Sequence, residues 1–350
     1  MQQKFRMFLY IIRPIGIRVK ICDYVNQNTA HSRGIDLSER TVLEMSVITK
    51  AGLLALAAVL LLPSAQTTQA AQPEPLIVIV QKRQDAQERT LRVLRDGSVE
   101  EAALDTYLAQ VVLSEMPASF ATEALKAQAV AARTYQVRQM QAAGSRAVLY
   151  DVGQAYLSEA EQKEKWGEGY ALYAGKIHSA VRATAGEIMT YDGEPILAAF
   201  HAQSGGRTED AAHVWNTAVP YLKSVDSKGD RQAPNNETTV TIAAKTLAER
   251  LGVADDAAVS VKKRTEAGYV AEVQAGSKTF SGREIRERLG LRSADFTIAK
   301  NGDSYIFTVH GYGHGAGMSQ YGASFLAEQG KNYHEILRHY YTGISFSILE

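Results

Sequence analysis

At 350 residues the chain has room for one large domain or two ordinary ones, and 45% hydrophobic with 22% charged residues excludes a disordered polypeptide. A single apolar stretch longer than ten residues excludes a polytopic membrane protein. Lysine plus arginine and aspartate plus glutamate balance at 38 each, so no bulk charge draws the chain to nucleic acid.

The charge is uneven: residues 1–70 hold eight basic against four acidic residues, leaving 30 against 34 in the remainder. The one cysteine, Cys22, lies in this basic leader, so no internal disulfide and no cysteine-based zinc site is expected. Ala51–Leu62 (AGLLALAAVLLL) is too short for a spanning helix and fits the apolar core of a secretory signal. Lys50 precedes it, and Thr68-Gln69-Ala70 offers a small-x-small cleavage site. Counted from Met45 this is a complete signal layout, which predicts translation from Met45 and makes residues 1–44 an artefact or a dispensable extension. Hydropathy alone leaves open whether the segment is cleaved or retained as a short anchor. Either outcome places the bulk of the chain outside the cytoplasm, secreted to the cell wall or membrane-anchored.

Gln72–Pro75 is a polar linker and Leu76–Val80 (LIVIV) has strand composition. Leu104, Leu108, Val111 and Val112 recur at helical spacing, predicting a helix over Leu104–Met116 that Pro117 stops. Ser119 is the expected N-cap of a second, alanine-rich helix from Phe120 to about Gln141, small enough on several sides to be buried on more than one. Strands are expected at Glu187–Tyr191 and Ile196–His201 around a turn at Asp192-Gly193. A mixed segment over 239–296 carries helices at Ala243–Leu251 and Gly282–Leu289 and strands near Val259–Arg264 and Val270–Gln274. Ile306–Val309 is a last core strand, and Tyr333–Tyr341 an amphipathic helix. Strands and helices in blocks predict an α+β fold: one large domain with a helical catalytic segment, short mixed or antiparallel strands and an inserted α/β subdomain at 239–296.

Four groups of residues have chemical potential. Glu115 closes an otherwise apolar helix, where burial and the negative end of the helix dipole both raise a carboxyl pKa toward the range of a general acid; the alternative is a solvent-facing terminal glutamate. Lys126, Gln128, Arg133 and Tyr135 lie on the next helix, the two cations seven residues apart and so on one face, pointing either to solvent or to an anionic ligand. His310–Ala323 (HGYGHGAGMSQYGA) has five glycines that admit close approach of backbone to a ligand, with His310, His314, Ser319, Gln320 and Tyr321 as hydrogen-bonding groups. It has neither the Gly-Lys-Ser/Thr of a phosphate loop nor a metal-binding His-Glu-x-x-His helix. His201 and Ser204, in a loop continuing Gly205-Gly206-Arg207, read as a hydrolase pair without the usual elbow motif.

Taken together, Tyr107–Arg138 (YLAQVVLSEMPASFATEALKAQAVAARTYQVR), Ile196–Glu209 (ILAAFHAQSGGRTE), Leu291–Phe296 (LRSADF), Gly311–Ala323 and Ile336–Gly343 (ILRHYYTG) resemble the stage II sporulation protein D family, over about residues 76–350. The resemblance implies a peptidoglycan lytic transglycosylase that acts on peptide-stripped glycan strands during forespore engulfment, alongside an amidase and membrane proteins, with no cofactor. It puts the catalytic glutamate on Glu115 and substrate contacts on Lys126, Gln128 and Arg133, with Lys126 and Arg133 holding a lactyl carboxylate. Tyr135, His201, Ser204, His314, Ser319 and Gln320 complete the expected binding surface. Ordinary glycosidases need two carboxylates, whereas a lytic transglycosylase uses the substrate's own 6-hydroxyl as nucleophile, which agrees with one prominent glutamate.

Some relatives carry a His/Cys zinc cluster after the hallmark helix, but Tyr150–Gly175 has neither residue type. No metal is expected there, and Tyr156, Trp166, Tyr170 and Tyr173 are expected to hold the loop by packing. Two other readings remain: a non-catalytic module like the amidase-enhancer relatives, and a Ser204 hydrolase.

Overall fold

The computed structural model describes residues 8–12, 17–21, 89–95, 98–144, 148–149 and 154–349. The chain divides into two compact units, Met1–Pro73 and Glu74–Glu350. In the first, strands β1 (Phe8–Ile12) and β2 (Ile17–Ile21) pair antiparallel, Tyr10 opposite Val19. The expected signal, its cleavage site, Met45 and the strand at Leu76–Val80 lie outside the described residues. Among those described, no helix is long and apolar enough to cross a membrane.

The second unit opens with β3 (Thr90–Arg95) and β4 (Ser98–Ala103), an antiparallel pair that leads directly into helix α1 (Leu104–Glu115). The four apolar positions at helical spacing, Leu104, Leu108, Val111 and Val112, are all buried. Met116 then turns extended, as the residue before a proline must. Helix α2 (Thr122–Ala143) is the centre of the fold: Ala124, Ala127, Ala129, Ala131 and Ala132 are each 0% exposed, and their methyl groups let neighbours approach from several sides. Its N-cap is Ala121 without a side-chain cap, and the expected cap Ser119 is exposed in the preceding turn. Packing of the alanine face replaces the missing cap.

The stretch read as a loop over 150–175 contains helix α3 (Glu159–Trp166), started by a reciprocal Ser158–Glu161 capping box, and the start of α4 (Tyr170–Ala183). The strand β5 (Val148–Leu149) pairs parallel with β3. Next come β6 (Glu187–Tyr191), the Asp192-Gly193 turn with positive φ at both residues, and β7 (Glu194–Pro195). The expected strand Ile196–His201 shrinks to β8 (Phe200–His201), because side chains serve part of its backbone: the Tyr221 hydroxyl accepts from Leu197 N–H and the Tyr341 hydroxyl donates to Ala199 O.

A short helix α5 (Ala211–Trp215) and a 3-10 turn at Lys228–Gln232 precede a second hydrophobic core, which draws on residues from Ile242 to Val309. It is built from β9 (Glu237–Ala243), α6 (Ala244–Leu251), β10 (Val259–Arg264), β11 (Val270–Ala275), β12 (Lys278–Phe280), α7 (Gly282–Leu289), β13 (Asp295–Asn301) and β14 (Ser304–His310). Two three-stranded antiparallel sheets, ordered β10-β11-β12 and β13-β14-β9, close on Phe296 and Phe307, whose rings meet edge to face at 5.8 Å. The chain then returns to the first core through β15 (Met318–Ser319), α8 (Gln320–Glu328), α9 (Tyr333–Tyr340) and β16 (Ser345–Ile348), which pairs with β6. The architecture is α+β with small sheets, as the blocks of strand and helix predict.

Candidate active site

Glu115 is the last residue of α1, beside the buried Val111, Val112 and Met116. One carboxylate oxygen accepts the backbone N–H of Ala155 and the other accepts the Gln320 side-chain amide at 3.4 Å. Burial raises its pKa, and these two donors lower it without cancelling the effect. The segment that supplies Ala155 is fastened to α1. Tyr156 stacks on Tyr107 at 5.0 Å between ring centroids and donates to Gln110 Oε1 at 2.7 Å, while Leu157 N–H donates to Ser114 Oγ at 3.0 Å. Trp166 and Tyr170 pack against the first core, but Tyr173 is 37% exposed and does not share that task. Among the described residues no group of three or more His, Cys, Asp or Glu side chains is arranged to hold a metal.

Gln320 reaches Glu115 because the glycine loop turns straight into α8. Residues β8 and β15 pair parallel, His201 in register with Ser319, and Ser319 caps α8 by accepting Gly322 N–H at 3.2 Å. That approach needs Gly317: its φ is +71° and a Cβ there would lie 2.0 Å from Ala199 O. The Ser319 hydroxyl donates to Asp230 Oδ1 at 2.6 Å, and Ser204 gives Asp230 Oδ2 both its hydroxyl (2.5 Å) and its backbone N–H (2.8 Å). Asp230, fully buried in the 3-10 turn, is thus the post to which both serine loops are tied, and burial pushes its carboxyl up despite those donors. No pattern in Gly229-Asp230-Arg231 distinguishes it from a surface turn, so its role is hidden in the sequence. Ser204 is spent on this carboxylate rather than on His201, which removes the hydrolase pairing.

His201 donates through Nδ1 to Ala316 O at 3.1 Å, and its buried Nε2 meets no partner among the described residues. His314 lies 5.6 Å away ring to ring, accepts Ala316 N–H on Nδ1 at 3.1 Å, and stands 5.1 Å from the Trp215 ring. Burial drives both imidazoles down, His201 to about 3 and His314 to about 4, so both are neutral at physiological pH. Beyond His314 opens a cleft of about 300 Å³ lined by Trp215, Thr265, Tyr269 and Arg286.

The expected stripe on α2 is not part of this surface. Arg133 is 0% exposed and its guanidinium is held by Thr184 O (2.7 Å), Val181 O (3.1 Å), Glu187 O (3.3 Å) and Asp105 (3.1 Å). It binds the first core together and has no donor left for a carboxylate ligand. Lys126 is 2.6 Å from Glu123 and lies over the Tyr333 ring, facing α9. Gln128 is 0% exposed with neither amide atom partnered among the described residues, and the Tyr135 hydroxyl accepts from Gln139 at 2.9 Å. His310 stands near Glu237 at 3.7 Å and His339 donates to Asp226 O at 2.7 Å, so these histidines share no site with His314. The structure therefore joins Glu115 to Gln320 and Ser319, and through the β8–β15 pair to His201 and His314.

A family model described as stage II sporulation protein matches residues 95–191, the span from β3 to β6 that includes Glu115 and all of α2. The chain is 45% identical over 260 residues to stage II sporulation protein D of Bacillus subtilis, covering 71% of this chain and 76% of that protein. It is 44% identical over the same length, with the same coverage, to stage II sporulation protein D of Bacillus amyloliquefaciens. A more distant likeness, 29% over 297 residues and covering 68% of this chain but 40% of the other, is to the amidase enhancer of Bacillus subtilis. With 44–45% identity over 260 residues, covering 71% of this chain and 76% of each relative, the chain belongs to the stage II sporulation protein D family.

Proposed function

We propose that the protein is a peptidoglycan lytic transglycosylase acting outside the cytoplasm on glycan strands already stripped of peptides, in septal wall remodelling during sporulation. The observation that carries this is the state of Glu115: a half-buried carboxyl raised by burial, on which no second carboxylate acts among the described residues. A raised pKa keeps the acid protonated at a pH where a surface glutamate has lost its proton. Protonated Glu115 donates to the glycosidic oxygen between N-acetylmuramic acid and N-acetylglucosamine. As the C1–O4 bond breaks, the muramoyl 6-hydroxyl attacks C1, and the Glu115 carboxylate takes its proton. The 1,6-anhydro bond is formed and the acid is restored without a water molecule or a second carboxylate. Gln320 suits both protonation states, because turning its amide end for end presents a carbonyl to the acid and an N–H₂ to the carboxylate.

A second reading, a non-catalytic module that stimulates a partner amidase, is favoured by the likeness to the amidase enhancer. Mass spectrometry of peptide-free strands incubated with the protein separates the two. The transglycosylase gives anhydro ends, and Glu115→Gln lowers their rate by roughly a thousandfold while strand binding persists. Absence of anhydro ends with the parent protein leaves the module.

A further inference from the structure

Of the cations expected to meet a glycan carboxylate, Arg133 is buried with its donors used and Lys126, partly exposed, is paired to Glu123. One arginine in the cleft beyond His314 is not. Arg286, half-buried on α7, uses only Nε, which donates to Arg292 O at 3.3 Å, and its terminal nitrogens meet no acceptor among the described residues. The acids around it are already satisfied. Glu209 takes Asp210 N–H at 2.7 Å and His213 Nδ1 at 3.0 Å on one oxygen and the Thr265 hydroxyl on the other. Glu287 pairs with Arg283 at 2.8 Å. Arg286 feels the charge of Glu287 without being bonded to it, and its planar fork of N–H donors matches a carboxylate.

We infer that Arg286 is the carboxylate-recognition residue of this protein, holding the lactyl carboxylate of a muramic acid unit whose sugar ring lies against Trp215 in the cleft. The inference rests on the reading of the protein as one that binds peptide-stripped glycan. Inside the fold a chain of neighbours links the acid to the wall of the cleft: Gln320 bonded to Glu115, Ser319 in register with His201, His201 against His314, and His314 lining the cleft with Arg286. The positive charge of Arg286 also contributes to keeping His314 unprotonated, so the imidazole adds no charge beside it. Sequence alone hides this residue in Gly282–Leu289 (GREIRERL), a run of charges that reads as a solvated helix face.

The test measures binding of the full-length protein to three strand preparations: peptide-free, peptide-free with the lactyl carboxyl reduced to the alcohol, and intact with stem peptides. The parent protein is expected to bind the peptide-free strands roughly tenfold or more tightly than the reduced ones. Arg286→Gln removes that preference, Arg286→Lys restores part of it, and circular dichroism checks that both variants fold. Equal binding of peptide-free and reduced strands by the parent protein overturns the inference, as does a preference that survives Arg286→Gln. Tighter binding of intact strands, lost in Arg286→Gln, assigns the arginine to stem-peptide carboxylates and overturns the lactyl assignment. Failure to bind any strand sinks the underlying reading instead, whereas good discrimination without anhydro ends sinks only the catalytic proposal.

Discussion

Arg133 and Arg286 look alike in sequence, each a basic residue on a helix close to a candidate site, yet their surroundings give them opposite roles. Four residues on three elements supply acceptors around Arg133, so its removal leaves buried carbonyls and part of Asp105 without a donor. Arg133→Ala is expected to destabilise the fold by about 3–5 kcal/mol, measured by urea denaturation, and Arg133→Met, which refills the volume, by less. A folded Arg133→Ala variant of parental stability that lost only glycan binding would return the residue to the site. The distinction was not legible in sequence because it depends on Thr184, Val181 and Glu187, which lie some fifty residues further along the chain and reach the guanidinium mainly through backbone oxygens. Glu115 was legible for the converse reason: its apolar neighbours and Pro117 are adjacent in sequence, so its burial is a local property.

Among the elements, those with a strong apolar period stand in the structure within a residue or two of where the sequence puts them. Helix α7 matches at both ends, and α1, α6 and α9 differ by one residue. Helix α3 was missed because its EAEQKEKW sequence buries only Gln162 and shows no apolar stripe. The glycine loop was legible as a place of close approach, but not what it approaches. Gly317 passes over Ala199 so that β15 can pair with β8 and aim α8 at Glu115. Gly317→Ala combines a left-handed backbone with contact against a carbonyl oxygen, and is expected to cost about 2–4 kcal/mol and to lower strand cleavage further than the stability loss alone explains. Thermal unfolding together with a cleavage assay below the melting range checks both effects. Parental stability and activity in that variant would mean the loop can relax without moving Gln320.

For the molecule as a whole, the two buried histidines set the response to acid. The folded pKa of His201 is depressed to about 3, whereas in the unfolded chain it titrates near the ordinary value of about 6.5. Its contribution to stability is therefore complete above about pH 6.5 and is lost as the pH falls toward 3, because only the unfolded chain takes up the proton. At pH 4.5 the loss from His201 is on the order of 2–3 kcal/mol. Glu115, Asp230 and Asp295 have the opposite sign: burial raises them, so their contribution is present at low pH and lost as the pH rises through the folded values. Comparing urea midpoints at pH 7 and 4.5 for the parent and His201→Gln isolates the histidine, and the variant is expected to lose less on acidification. An equal loss in both would show that His201 is protonated in the folded protein. Finally, Glu237 and His310 face each other across β9 and β14, so the lobe that carries Arg286 departs from the backbone and rejoins it at a single doorway. Its chain enters and leaves side by side, yet Thr265, Tyr269 and Arg283 bond across to Glu209, Arg207 and Val214, so any exchange of this lobe must carry those contacts with it.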